Sequence, residues 1–422
     1  MGAQIVFLTL FLGLVSGKQQ VAVDVSGPVK IIQLKLGDRE VALMAEPPWR
    51  ATVDFGPELT PRELTAIGYD EEGHELARAA QVLNLPRPTA EFEIMLDGND
   101  ASLHWRHLAH ASPTSSTMTL DGKSLPLDKS LHARLPKIDR DVPHVLAAEM
   151  RFADGAVARR ELVIESERSA SVGTQLTPIT LRETAPSHPA TWDRCLARPD
   201  GTPARIAAVE KPRALMIMVR DPERGEITRA LGNMSFAMRS SMALGGDSIE
   251  RILWPMSRRI DERGDTSVLF DRTGDFSGTT AGVLYLMLSL VHSGKNNDKR
   301  REFADAVAVA GVQAMSTPMR RAVVLVLGSA PDASAHNPAA VRRYLQALGV
   351  PLFVWSVTGP RPELAASWGE VSDIATLPKL ADAVSRVRHT LEEQRIAWVD
   401  VDPLMSLHLK ADARCGIETM AR

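Results

Sequence analysis

The chain has 422 residues, with 49 Lys and Arg against 52 Asp and Glu and a net charge of −3. Its 44% hydrophobic and 24% charged content matches soluble globular proteins and excludes wholesale disorder; the length suggests about three domains. The near-neutral balance lacks the electrostatic footprint of a nucleic-acid binder, and two cysteines are too few for a disulfide scaffold or a four-thiolate zinc site.

Residues 5–15 form an apolar run that closes on Val15-Ser16-Gly17. This is the length of a signal-peptide core, and Val15 and Gly17 suit the −3 and −1 positions of a cleavage site. A bilayer span needs about 20 apolar residues, so no stable membrane span is expected here. Residues 1–17 lack Lys and Arg, which departs from the leader pattern, and the competing reading is a buried first strand. The expectation is a signal peptide over 1–17, cleavage after Gly17, and a secreted or periplasmic protein.

Residues 18–86 read as short strands separated by turns, which predicts a β-sandwich. Pro47-Pro48 excludes a central strand and marks an edge or a crossing between sheets. A second β-rich unit over 87–168 looks like a diverged copy. Leu64-Thr65-Ala66, Gly73 and Arg78 return 82 positions later as Leu146-Ala147-Ala148, Gly155 and Arg160. A period that long suits tandem immunoglobulin-like domains rather than a solenoid. Residues 169–212 read as a linker with one strand candidate at 176–181.

From Ala214 the rhythm changes. Residues 214–219 are a continuous apolar run, followed by Ile227, Leu231, Met234, Met238 and Met242 at helical spacing. Further strands are expected at 252–254, 268–270, 323–327 and 352–357, with helices near 280–292, 300–316, 338–348 and 377–395. Doubly buried strands alternating with amphipathic helices predict a doubly wound α/β domain over 213–397, followed by a tail at 398–422.

Ser277-Gly278-Thr279-Thr280, the run Arg321 to Gly328 and the run Tyr344 to Trp355 make this part resemble a von Willebrand factor type A domain. With sandwiches ahead of it, the chain resembles exported bacterial proteins of acidobacterial type; Pro47-Pro48-Trp49-Arg50 is similar to strings in their sandwich parts. The resemblance implies a metal-ion-dependent adhesion site, in which a DxSxS motif, a loop Thr and a third-loop Asp hold one divalent cation with oxygen ligands. Here the first motif reads Asp221, Glu223 and Gly225, Thr279 stands for the threonine, and Gly328 replaces the aspartate. The expectation is a degenerate site without metal or other cofactor. The alternative is a site rebuilt from Asp221, Glu223 and Thr279.

His104, His107 and His110, with His132 and His144, offer zinc-ligand chemistry, but their spacing alternates faces of a strand, so surface histidines are expected. Ser277 lacks a nucleophile-elbow context and is expected to cap a helix. Asn233-Met234-Ser235 matches a glycosylation acceptor. Arg258-Arg259, Arg300-Arg301 and Arg320-Arg321 read as solvated helix and loop ends. With no convergent acid–base or nucleophile set in the sequence, the expected role is a non-catalytic scaffold. Its partner would be a protein in the envelope or outside the cell, bound where the first-strand, 274–280 and 328–336 loops meet. Export also predicts a disulfide between Cys195 and Cys415, the only two cysteines; two separate buried thiols are the alternative.

Overall fold

The computed structural model describes residues 2–420 apart from 12, 87, 138–141, 165–171, 186–191, 193–194, 222, 224, 232–241, 263–264, 281, 293–299, 360, 406 and 411–414. The glycosylation motif at Asn233 and the methionines Met234 and Met238 lie outside the described residues.

The first sandwich packs a sheet of β1 (Gln4–Phe7), β2 (Lys18–Ser26) and β5 (Arg50–Asp54) on a sheet of β4 (Arg39–Met44), β3 (Ile31–Leu36), β6 (Arg62–Tyr69) and β7 (Glu75–Leu83). Pro47-Pro48 lies between β4 and β5, where the chain crosses from one sheet to the other. The second sandwich repeats the plan. β8 (Ala90–Asp97), β9 (Asp100–His107) and β12 (His132–Arg134) face β11 (Lys123–Leu125), β10 (Pro113–Leu120), β13 (His144–Phe152) and β14 (Val157–Ile164), with β15 (Val172–Gln175) added at the edge. The sequence echo falls on equivalent hairpins, β6–β7 and β13–β14. Gly73 and Gly155 both take positive φ there, 86° and 87°, which their turns require and side chains resist.

This duplication corrects the expected leader. β1 pairs antiparallel with β2 from Gln4 opposite Ser26 to Phe7 opposite Val23, as β8 pairs with β9 in the second copy. Ile5 and Phe7 point inward and are buried, while Val6 and Leu8 point out, the period-two signature of a half-buried strand. Gly68 leaves room for Ile5, since a Cβ there would meet Ile5 Cδ1 at 2.9 Å. Farther on, Val15 N–H donates to Asn84 Oδ1 (2.7 Å) and Asn84 Nδ2 donates back to Val15 O (2.9 Å). Residues 4–17 are thus part of the first sandwich, not a segment outside it.

The α/β unit is built on a mixed sheet with strand order β21 (Asp265–Arg272), β20 (Ser248–Glu262), β19 (Ala214–Arg220), β23 (Arg320–Leu327), β24 (Leu352–Ser356), β25 (Val371–Asp373). All neighbours are parallel except β21 with β20. Every residue of β19 and β23 is buried, as strands covered on both faces must be. One face carries α1 (Gly225–Leu231), α2 (Val283–Ser289) and α6 (Leu377–Glu393), packing Ile227, Met287 and Val384 against Met216, Met218 and Val324. The other carries α3 (Phe303–Met315), α4 (Pro338–Ala347) and α5 (Pro362–Trp368), packing Phe303, Tyr344 and Trp368 against Ile217, Val219 and Val323. The sequence anticipated neither α5 nor β25.

The expected linker and tail join instead into a fourth unit. β16 (Thr177–Glu183) lies between β26 (Gln394–Val399) and β28 (Ile417–Thr419), with β18 (Ile206–Glu210) on the far side of β26. The α/β unit therefore ends at Glu393, not 397. A pair of short strands, β17 (Leu196–Ala197) and β27 (His408–Leu409), lies beside this sheet. Its core holds Leu181, Trp192, Leu196, Ala397 and Val399, together with the bonded pair Cys195–Cys415, whose Cα atoms are 6.0 Å apart.

Both sandwiches pack against the rest of the chain. Leu59 is fully buried in the α3–α4 face, Tyr344 Oη donates to Asn84 O (2.9 Å), and Arg343 pairs with Glu58. The second sandwich meets the fourth unit through Arg151 and Arg159, both paired with Glu210, which also accepts from Trp398 Nε1.

Deleting residues 2–17 should destabilise the first sandwich, because it strips a strand and three buried side chains worth about 1.5–3 kcal/mol each. Limited proteolysis of the shortened protein should cut within residues 18–86 under conditions that leave the full chain intact. Equal resistance would contradict the placement of β1. A Cys195→Ser/Cys415→Ser variant should lose up to roughly 5 kcal/mol, the chain-entropy value for so long a loop. Thermal unfolding under non-reducing conditions would show this as a fall in Tm; an unchanged Tm would refute it.

Candidate functional site

At the carboxyl edge of the sheet, the strand order reverses on either side of β19, leaving the crevice in which such folds accept ligands. Arg220, the last residue of β19, is in register with Val326, so Asp221 emerges beside the end of β23. Arg220 itself is fully buried: Nη1 and Nη2 donate to the carbonyls of Leu288 and Leu290, and its guanidinium lies 5.3 Å from the Trp254 ring. Burial lowers its pKa to about 10, still cationic at neutral pH.

Asp221 has 14% of its side chain exposed, and its Oδ1 accepts from Glu223 N–H (2.8 Å) and from Arg301 Nε (3.2 Å). Arg301, itself 8% exposed, reaches Glu223 Oε1 through Nη2 at 3.4 Å, and that glutamate is 80% exposed. Arg301 comes from residues 300–302, just before α3, and these form the second loop of the rim. The third is 328–336, tied to the second by Ala333 N–H donating to Arg301 O. Glu226 fills the place beside Gly328: its Oε2 accepts from Ser329 N–H (2.8 Å), and a Cβ at 328 would collide with it. Arg361 donates to Gly328 O (2.5 Å). An aspartate cannot occupy position 328 unless Glu226 moves.

Thr279 is elsewhere. Gly278 N–H donates to Ser248 O, and Ser248 is in register with Ala214 at the amino end of β19. Seven strand residues at about 3.3 Å each separate that level from Asp221, roughly 20 Å. The 274–280 loop therefore lies at the opposite edge of the sheet, and Asp221, Glu223 and Thr279 do not assemble a site. The cause is the antiparallel return along β20: β21 runs back until Arg272 lies opposite Leu253, and β22 (Phe276–Ser277) continues past Glu250 and Ile249 to the amino edge. Ser277 does not cap α2, whose N-cap is Gly282; its Oγ contacts Thr279 Oγ1 at 2.7 Å. Gly225, the remaining expected position, opens α1 and is exposed.

Arg301 also opposes a cation at Asp221. A divalent cation seated on Asp221 would lie within about 5 Å of the guanidinium, a repulsion of roughly 7 kcal/mol at an effective dielectric near 20. The donor set at this rim does not fit a metal ion. The basic pairs are not all solvated ends: Arg301, Arg320 and Arg321 are buried, whereas Arg258 is exposed and pairs with Asp271.

The loop 328–336 is pinned from both sides. Asp332 Oδ1 accepts from Phe303 N–H and Ser334 Oγ from Ala304 N–H, so this loop caps α3. Asp305 accepts from Ala335 N–H and contacts His336 Nδ1 at 2.7 Å, and His336 Nε2 meets Ser16 Oγ of the first sandwich at 2.9 Å. The histidines of the second sandwich do not converge. His107 is buried, contrary to expectation, against Phe152 and Asp154, and His144 pairs with Asp121; His104, His110 and His132 are exposed.

No family model matches the chain, and no curated protein matches it. Among solved structures it is similar to fibronectin(III)-like modules of Clostridium thermocellum CbhA, with 11% identity over 39% of this chain and 96% of that one (TM-score 0.17). It is also similar to the ArnB paralog VWA2 of Sulfolobus acidocaldarius, with 9% identity over 71% of this chain and 67% of that one (TM-score 0.25). These are weak likenesses to sandwich modules and to a type A protein, and with TM-scores this low neither bears on function.

At the amino edge, Glu250 is fully buried and accepts from Ser248 Oγ (3.1 Å); burial pushes its carboxyl up to about 7 from 4.5. A raised folded-state value means that stability is fully present below about pH 4.5 and lost as pH rises through 7, by roughly 3 kcal/mol. Glu250→Gln should remove this component. Its Tm relative to wild type should rise by several degrees between pH 5 and pH 8, and a constant difference would contradict the assignment.

Proposed function

We propose that the chain is an exported, non-catalytic scaffold protein whose type A-like α/β unit binds a protein partner at its carboxyl-edge rim. The observation that supports this most is the convergence of three loops at the strand-order reversal. They present the exposed Glu223 and Ser329 over a base held by Asp221, Arg301 and Glu226. Export is supported by the Cys195–Cys415 bond, a feature of oxidising compartments, now that residues 4–17 serve as part of a sandwich. The reading as a metal-dependent adhesin is set aside, because Thr279 lies across the sheet and Arg301 holds the carboxylates. Binding at the rim would thus proceed without a divalent cation.

The test places a photo-crosslinking residue at Ser329 and, as a control, at Ser277 on the opposite edge, in protein produced in its native cell. The expected result is a defined adduct at 329, formed equally in EDTA, and none at 277. Equal labelling at both edges, or an adduct at 329 abolished by EDTA, would overturn the proposal.

A further inference from the structure

We propose that Ser16, His336 and Asp305 form a serine-hydrolase site at the joint between the first sandwich and the α/β unit, with Ser16 as nucleophile toward small esters. The inference goes beyond the scaffold reading and does not rest on it: non-catalytic then describes the rim, not the chain. Ser16 Oγ lies 2.9 Å from His336 Nε2, and His336 Nδ1 lies 2.7 Å from Asp305 Oδ1. A nucleophile in reach of a base that a third group orients is how such sites are recognised, on whatever fold they occur.

The proton positions follow from what holds Asp305. It sits in the first turn of α3, where an anion is favoured, and its side chain is only 16% exposed. Burial raises its carboxyl, but hydrogen bonds from His336 Nδ1 and from the N–H groups of Ala335 and His336 outweigh that and hold it below the usual carboxylate range. An ionised carboxylate can only accept. His336 therefore carries its proton on Nδ1 and presents a lone pair at Nε2, with Ser16 O–H as the donor to it.

Ser16 is half-buried, and solvent reaches the chain beside it. Gly17 takes a φ of 62° and a Cβ there would meet nothing within 4 Å, while residues 18–20 are exposed. Among the described residues Ser16 N–H has no acceptor, which leaves it available to the ester oxygen as that oxygen becomes negative. Ser16 Oγ attacks the ester carbonyl while its proton passes to His336 Nε2. The bond from that carbon to the alcohol oxygen then breaks, and the alcohol leaves with the proton. Water, deprotonated in turn by His336, releases the carboxylic acid and restores Ser16.

The experiment treats the full chain, disulfide intact, with a fluorophosphonate, which joins phosphorus to a reactive serine oxygen and releases fluoride. Intact mass should rise by one adduct, peptide mapping should place it on Ser16, and Ser16→Ala should stay unmodified. His336→Gln and Asp305→Asn should each slow labelling at least about a hundredfold, the low end of what a positioned general base contributes. Hydrolysis of p-nitrophenyl acetate should fall in the same variants. A tie that merely docks the sandwich would cost Tm in these variants yet give wild-type Ser16 no such reactivity. An unlabelled Ser16 in folded wild type would overturn the proposal even if every variant failed to fold, as would His336→Gln reacting at the wild-type rate. Neither result bears on crosslinking from Ser329, which tests the rim.

Discussion

A guanidinium taken out of water must find hydrogen-bond acceptors for its N–H groups, and that requirement laces this protein together. Arg220 draws on two carbonyls near the end of α2. Arg320, at the opposite edge, takes Pro212 O (2.6 Å), Leu391 O (2.8 Å) and the Asp247 carboxylate, thus binding the segment before β19 to the end of α6. At Arg321 the backbone does similar work: Gln394 accepts from its N–H and donates to its carbonyl, so a side-chain amide stands in for a neighbouring strand. Arg301 closes the rim. Each of these residues takes its partners from a different segment, and Arg220, Arg320 and Arg301 could not be replaced by Lys without losing the planar fork that reaches several acceptors at once.

That lacing explains which parts of the fold were legible. Six consecutive apolar residues in β23 (322–327) and six in β19 (214–219) announce themselves as apolar runs, and the long helices α3, α4 and α6 fall within a few residues of their periodic patterns. Charged pairs give no such notice. Arg320-Arg321 looks like any solvated strand start until carbonyls from positions 212 and 391 arrive beside it. The N-terminal run was ambiguous for a different reason. Eleven apolar residues satisfy both a leader and a strand, and the alternation that decides between them covers only four positions. The equivalent strand, Ala90–Asp97, alternates more openly, and aligning the two repeats would have resolved the choice.

The rim was half legible. Asp221, Glu223 and Gly328 were found because they sit at the ends of strands that could be recognised. Arg301 was missed because its relation to Asp221 depends on the path between β20 and α3, where β21 and β22 run back along β20 to the amino edge. The direction of β21 leaves no mark in the sequence, and assigning Thr279 by order alone placed it at the wrong edge. Ser16, His336 and Asp305 show the same limit: 320 positions separate the first two, and only the docking of the first sandwich brings them together.

The fourth unit alters how the chain would respond to being pulled. Cys195 and Cys415 are 220 positions apart in sequence yet covalently joined, and the whole α/β unit lies between them. Tension applied between the chain just before Cys195 and any point beyond Cys415 would follow the covalent path through the sulfur bridge and bypass the sheet and its rim. Along that path the α/β unit is a covalently closed loop that carries none of the load. Reduction of that one bond would redirect the load path through β19, β23 and α6.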